Sequence, residues 1–184
     1  PRAVTDFMVK VVKPVLGDKI GDFACGTGGF LTSALSELDK QVGNSIDNRE
    51  SYNKSVYGIE KKSLPHILCV TNMLIHDIDD PNILHGNALE IDYKDMRKMD
   101  SFDVVLMNPP YGGNEKDSVK VNFPADLRSS ETADLFMNII MFRLKKNGRC
   151  GIIIPDGFLF GTDNAKVNIK KKLFSEFNVH TIVR

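Results

Sequence analysis

The sequence predicts an α/β fold with a mainly parallel sheet and helices on both faces. Short apolar runs of strand length alternate with stretches of helical period along most of the chain. A strand, a glycine turn and a helix follow one another between positions 19 and 38, and every residue cluster with chemical character falls just after a candidate strand. In such a sheet right-handed crossovers bring the strand carboxyl ends to one edge, where ligands bind.

Residues 3–12 read as the first helix. Residues 19–25 form a short buried strand, and Gly26-Thr27-Gly28-Gly29 turns the chain into the apolar-periodic stretch Phe30, Leu31, Ala34, Leu35, Leu38. Glycines let backbone approach a ligand closely, and the helix start offers unpaired N–H groups to a carboxylate or phosphate. A dinucleotide fingerprint would place a third glycine where Leu31 stands, so the turn departs from the spacing of nicotinamide cofactor sites. Residues 41–54 are polar and read as an inserted loop. The next strand, residues 55–59, ends on Glu60, whose carboxylate could accept hydrogen bonds from two ribose hydroxyls; its alternative is an ordinary solvated strand-end acid. Residues 64–76 read as a helix.

The run 102–107 is a strand that delivers Asn108-Pro109-Pro110-Tyr111. An amine attached to an aromatic ring is a poor nucleophile because its lone pair is delocalised. The Asn108 amide oxygen and the Pro109 carbonyl supply two acceptors that would pull such a nitrogen toward tetrahedral geometry. The prolines hold φ fixed, and Tyr111 offers a face for stacking. Taken alone, the tetrapeptide also suits a plain strand-to-turn exit. Residues 112–132 form a long polar loop, either a cover over an extruded base or a connector. A helix, a strand and a further helix follow, with residues 179–183 strand-like. Phe158 and Phe160 are both expected to be buried.

Composition fits a compact domain: 184 residues with 42% hydrophobic content can bury a core. No apolar run approaches a membrane span and no signal peptide is visible, so no membrane partner and a cytoplasmic location are expected. Cys25, Cys69 and Cys150 are odd in number and widely spaced, which suits buried, reduced thiols. His66, His76, His85 and His180 show no metal-ligand spacing. The net charge of zero fits poorly with a protein that grips many phosphates by itself. Its lysine and arginine clusters at positions 61–62, 97–98, 145–146 and 170–172 are small.

Taken in order, the glycine turn, Glu60 and Asn-Pro-Pro-Tyr resemble the adenine-N6 DNA methyltransferases, most closely the modification subunit of type I restriction-modification systems. Residues 22–31 are similar to that family's S-adenosylmethionine loop, with Phe23 in place of a common Pro and Thr27 in place of a common Ser. The segment His85-Gly86-Asn87-Ala88-Leu89 looks like the stretch that meets the cofactor's adenine. Residues 130–136 and 154–161 match further family segments, and Pro1-Arg2-Ala3-Val4 resembles the end of an element at the methionine end of the pocket. The resemblance implies a Rossmann-like S-adenosylmethionine-dependent methyltransferase fold. It implies cofactor contacts from Asp22, Cys25, Gly26, Thr27, Gly28, Gly29, Phe30, Glu60, Asn87 and Ala88, and catalysis by Asn108, Pro109, Pro110 and Tyr111 without a metal. The implied partners are DNA, a DNA-specificity subunit and a second modification subunit, with a restriction subunit as a further candidate. Because the chain opens inside a motif and lacks an initiating Met, it is expected to be one catalytic domain, 1–184, of a longer protein. The same corner serves other planar nitrogens, so methylation of a protein glutamine or of ribosomal RNA is the rival activity, and a cofactor-binding scaffold without turnover is the rival of another class.

Overall fold

The computed structural model describes every residue, Pro1–Arg184. In chain order the elements are α1 (Arg2–Val12), β1 (Ile20–Asp22), α2 (Gly29–Val42), α3 (Ile46–Asn53), β2 (Val56–Glu60), α4 (Ser63–Ile75), β3 (Asn82–His85), α5 (Tyr93–Met96), β4 (Phe102–Met107), α6 (Asp117–Lys120), α7 (Thr132–Arg143), β5 (Leu144–Ile152), α8 (Asp156–Phe160) and α9 (Asn164–Glu176). The chain divides into two compact units. No helix is long and apolar enough to cross a membrane.

One unit comprises Pro1–Ala88, Asp100–Asn108 and Arg143–Ile153. It holds a five-stranded sheet of order β3-β2-β1-β4-β5 in which every neighbouring pair is parallel. Consecutive residues Val104, Val105, Leu106 and Met107 are all fully buried, and successive strand residues face opposite sides, so β4 is covered on both faces. On α2 the buried Phe30, Leu31, Ala34, Leu35, Leu38 and Val42 recur at helical spacing. They pack with Val9 and Val12 of α1, Cys69 and Met73 of α4, and Ile20, Val56, Ile83, Val104 and Leu106 of the sheet. Full burial of each such leucine contributes about 2 kcal/mol, enough in sum to fix the helices on the sheet.

Where a loop was expected at 41–54, α3 forms. Ser45 Oγ accepts from the Asn48 amide, and buried Tyr52 donates its hydroxyl to the His76 carbonyl at 2.9 Å. A two-turn helix held by a cap and one aromatic anchor carries too few apolar residues to show a period. Cys150, on the edge strand β5, is exposed, against the expectation of a buried thiol.

The other unit comprises Leu89–Met99, Pro109–Phe142 and Ile154–Arg184. Residues 112–132 are not a featureless loop: they contain α6 and a 3₁₀ turn at Ala125–Leu127, and they bury Val119, Phe123 and Leu127. Asn114 and Glu131 form an antiparallel bridge that draws the two ends of this segment together. Phe158 is fully buried but Phe160 is 64% exposed, with the Arg184 guanidinium 5.4 Å from its ring. The two residues sit two apart on one helical turn and so point about 200° apart, which lets only one face inward. Residues 179–183 form no strand, and Ile182 and Val183 are exposed. A strand is stable only against a neighbour, whatever its local propensity.

Candidate functional site

Register locates the chemical motifs. Gly21 pairs with Val105, Asp22 with Gly58, and Glu60 with His85. Counting two residues on, Phe23 and Met107 are level on adjacent parallel strands about 5 Å apart. Ala24 and Asn108 therefore leave the same edge of the sheet side by side, with Glu60 and Gly86 on the next two strands. Four motifs spread over the sequence are gathered at one edge because their strands are parallel.

The glycine turn is held by its neighbours. The Cys25 amide donates to the Ile59 carbonyl (3.0 Å), the Gly28 amide to the Cys25 carbonyl (2.8 Å), and the Asn72 side chain to the Thr27 carbonyl (2.8 Å). Gly26 and Gly28 adopt φ of +56° and +86°. A side chain at Gly28 would lie 2.8 Å from Cys69 Sγ, whereas one at Gly26 would meet nothing within 4 Å. The conformation and the packing demand glycine at 28, and open space fronts the backbone at 26.

Glu60 ties the edge together, with each carboxylate oxygen already bound to main chain. Oε2 accepts from the Gly26 amide at 2.9 Å and Oε1 from the Lys62 amide at 2.7 Å, while the Glu60 carbonyl accepts from the Gly86 amide at 3.0 Å. Each carboxylate oxygen retains a lone pair. Gly86 leads directly to half-buried Asn87 and buried Ala88.

Asp22 is buried, and its Oδ1 accepts from the Ala24 amide at 3.1 Å. Burial pushes its carboxyl up to about 7; the amide bond opposes the shift and the Glu60 charge adds to it. Two acids beside one turn, one of them short of charge compensation, suit a ligand that brings a positive charge and hydroxyl donors. A sulfonium nucleoside carrying an ammonium group meets both needs, so the residues present fit S-adenosylmethionine. Cys25 contributes differently: its Sγ lies 3.7 Å from Cys69 Sγ in the core, and the contact with Cys69 together with burial holds the thiol far above its ordinary value. It can offer a ligand its main chain but no nucleophile. Phe30 is likewise turned into the core, while Thr27 and Gly29 are exposed.

Asn108 is exposed at the end of β4, and in the other unit Pro109 is buried, Pro110 exposed and Tyr111 half-exposed. Pro109 and Pro110 hold φ fixed at two successive positions.

Two features behind the edge escaped sequence reasoning. The Arg143 guanidinium is buried among the rings of Phe23, Tyr57 and Phe102, 5.3, 5.9 and 5.1 Å from their centroids, and its Nε donates to the Asp100 carbonyl. It braces Phe23, the residue between Asp22 and the turn. Asn72 reaches the turn from α4. Neither residue stands near a motif in the sequence, so no spacing signals them. A cavity of about 410 Å³ lined by Pro1, Arg2, Thr5, Gly29, Thr32, Ser33, Asn72 and His76 adjoins the start of α2, and it includes neither Asp22 nor Glu60.

Some members of the basic clusters are spent on internal partners. Lys145 pairs with Asp103, Lys172 with Glu176, and the Lys170 ammonium donates to the Leu159 and Gly161 carbonyls.

Comparison with known proteins agrees with this arrangement. The whole chain, residues 1–184, matches the profile of the family described as N-6 DNA Methylase. It is 46% identical over 186 residues to the type I restriction enzyme EcoEI methylase subunit of Escherichia coli, covering all of this chain and 37% of that protein. Among solved structures, it is similar to a modification subunit of a putative type I restriction enzyme from Vibrio vulnificus, with a TM-score of 0.88 and 39% identity over 94% of this chain and 37% of that one. A putative class I S-adenosylmethionine-dependent methyltransferase from Listeria monocytogenes shares the fold, with a TM-score of 0.70, 22% identity, and coverage of 95% of this chain and 50% of that one. The chain thus spans little more than a third of the length of the type I subunits it matches.

Proposed function

The chain belongs to the N-6 DNA methylase family, and from that premise we propose that it is the catalytic core of a type I modification subunit that methylates adenine N6 in DNA. The observation that carries this reading is the register of β1 and β4, which sends the acid-flanked glycine turn and Asn108 out of the same sheet edge on adjacent strands. S-adenosylmethionine, when bound, supplies an electrophilic methyl group on sulfur. The remaining work falls to the protein.

In this reading the free lone pairs of Glu60 accept the ribose hydroxyls, and the Gly26 backbone approaches the ligand closely. Asp22 loses its proton when a cation arrives, so the site binds the charged donor more tightly than a neutral product. Asn87 meets the cofactor's adenine. The target adenine is turned out of the duplex and stacked on Tyr111. The Asn108 amide oxygen and the Pro109 carbonyl accept its two amine hydrogens, and both acceptors strengthen their hold as the nitrogen becomes positive. No side chain is assigned as a general base; the proton leaves to solvent after transfer. Since the chain carries no net charge and its basic clusters are small, sequence recognition is assigned to a specificity subunit, with a second modification subunit completing the assembly in the cytoplasm.

The test uses the full-length protein assembled with its specificity subunit and labelled S-adenosylmethionine. Label on adenine N6 of duplex DNA is the expected result. Label on RNA or on a protein glutamine would replace the substrate assignment, and binding with no transfer to any acceptor would reduce the chain to a scaffold.

A further inference from the structure

Lys166, in the first turn of α9, is an uncommon residue for the interior: its side chain is 2% exposed. Its ammonium lies 2.9 Å from Asp134 Oδ2, itself fully buried, and 2.6 Å from Glu131 Oε1, with Asp163 Oδ2 at 3.9 Å. Burying an ammonium costs several kcal/mol unless partners surround it, and an apolar residue would pack α9 as well.

What Lys166 holds leads back to the Asn-Pro-Pro-Tyr corner. Asp134 Oδ2 also accepts from Ser129 Oγ at 2.5 Å, and Ser129 Oγ accepts from the Glu131 amide at 3.1 Å, so the turn before α7 is folded around the Lys166 cluster. Glu131 forms the antiparallel bridge with Asn114; on either side of it, the Glu115 amide donates to the Ser130 carbonyl (3.1 Å), and the Thr132 amide and hydroxyl both donate to the Gly113 carbonyl (3.2 and 2.9 Å). Gly113 lies two residues past Tyr111.

Two glycines make these approaches possible. A Cβ on Gly161 would lie 2.3 Å from Lys166 Cδ, and one on Gly113 would lie 2.8 Å from Thr132 Oγ1. Gly161 has φ of −62° and Gly113 no positive φ, so neither glycine is required by its backbone conformation. Each leaves room for the tether. Burial alone would lower the Lys166 ammonium, but its bonds to Glu131 and Asp134 more than offset this and hold it above its ordinary value.

We propose that Lys166 is a positioning residue for base capture: through Glu131 it clamps residues 113–115 and so fixes the segment that presents Tyr111 to the target base. The proposal rests on the methyltransferase reading for its consequence, but the clamp itself can be read without turnover.

The experiment compares Lys166→Met, Glu131→Ala and Glu131→Gln in the full-length protein with its specificity subunit. Glu131 is half-exposed, so its removal leaves the buried Lys166–Asp134 pair intact and the fold secure even where Lys166→Met is destabilised. Hydrogen exchange across residues 109–116 is expected to quicken about tenfold in Lys166→Met and Glu131→Ala, with sheet segments unchanged. In both variants kcat on DNA should fall by about tenfold to a hundredfold, with cofactor affinity within about twofold of the parent, because the misplacement touches only the base platform. Glu131→Gln, which keeps an acceptor for the ammonium, should recover much of the loss. Lower thermal stability with unchanged exchange at 109–116 and unchanged kcat would make the cluster a structural ion pair and overturn the proposal. If the parent complex transfers no methyl group to DNA, the functional reading fails while the exchange data still decide the clamp.

Discussion

Replacing Asp22 with Asn separates the stability of the fold from the needs of the cofactor. Burial holds the folded carboxyl at about 7 against 3.8 for an ordinary aspartate, so from about pH 4 to about pH 7 the folded protein keeps a proton that the unfolded chain has lost. The unfolded state therefore binds fewer protons in this window, and stability falls as pH rises, by about 1.4 kcal/mol per unit, until the folded carboxyl ionises. Between about pH 5 and about pH 8 this group removes about 2.5 kcal/mol from the parent, while an amide removes nothing. The variant's advantage over the parent should thus grow by about 2.5 kcal/mol between about pH 5 and about pH 8, which widens the gap in unfolding temperature by roughly 5–10 °C. Cofactor binding should move the other way. Without the carboxylate that answers the ligand's positive charge, affinity near pH 8 should drop by about one to two orders of magnitude, the worth of a charge-assisted hydrogen bond. Thermal unfolding at the two pH values and calorimetric titration with S-adenosylmethionine measure both effects. A stability difference that ignores pH would refute the electrostatic account of the turn.

Asn108→Ala should lower kcat by roughly a hundredfold to a thousandfold, as loss of a transition-state acceptor does, with cofactor affinity nearly intact; a parallel fall in both would move Asn108 into the cofactor pocket. Glu60→Ala strips partners from the Gly26 and Lys62 amides as well as from the ribose, and should weaken cofactor binding by about a hundredfold in calorimetry; unchanged binding would reject the ribose role. Gly28→Ala forces a side chain into φ of +86° and against Cys69 Sγ at 2.8 Å. It should destabilise the domain by about 1–3 kcal/mol in denaturant melts. Adding Cys69→Ala should relieve the clash but not the backbone strain, so only part of the loss returns.

Much of the site was legible beforehand because parallel sheets make position along a strand equivalent to position in space. The glycine turn, Glu60, Asn87 and Asn108 could each be set at a strand end from sequence alone, and the shared edge then followed from the handedness of the crossovers. Local patterns failed where the outcome depended on a partner. Residues 179–183 have the composition of a strand and form none, Phe160 is apolar and exposed, and Cys150 sits on a sheet edge.

Alternating hydrophobic period, a glycine-rich turn and a proline pair were enough to determine an α/β sheet with a tight turn and a rigid corner at its strand ends, because those are short-range constraints on backbone. Tertiary structure alone decided the electrostatics. The raised Asp22 carboxyl, the Arg143 guanidinium among three rings and the buried Lys166 cluster each depend on which residues, distant in sequence, exclude water from one another. The free energy of a charge is set by that exclusion, and no spacing along the chain records it.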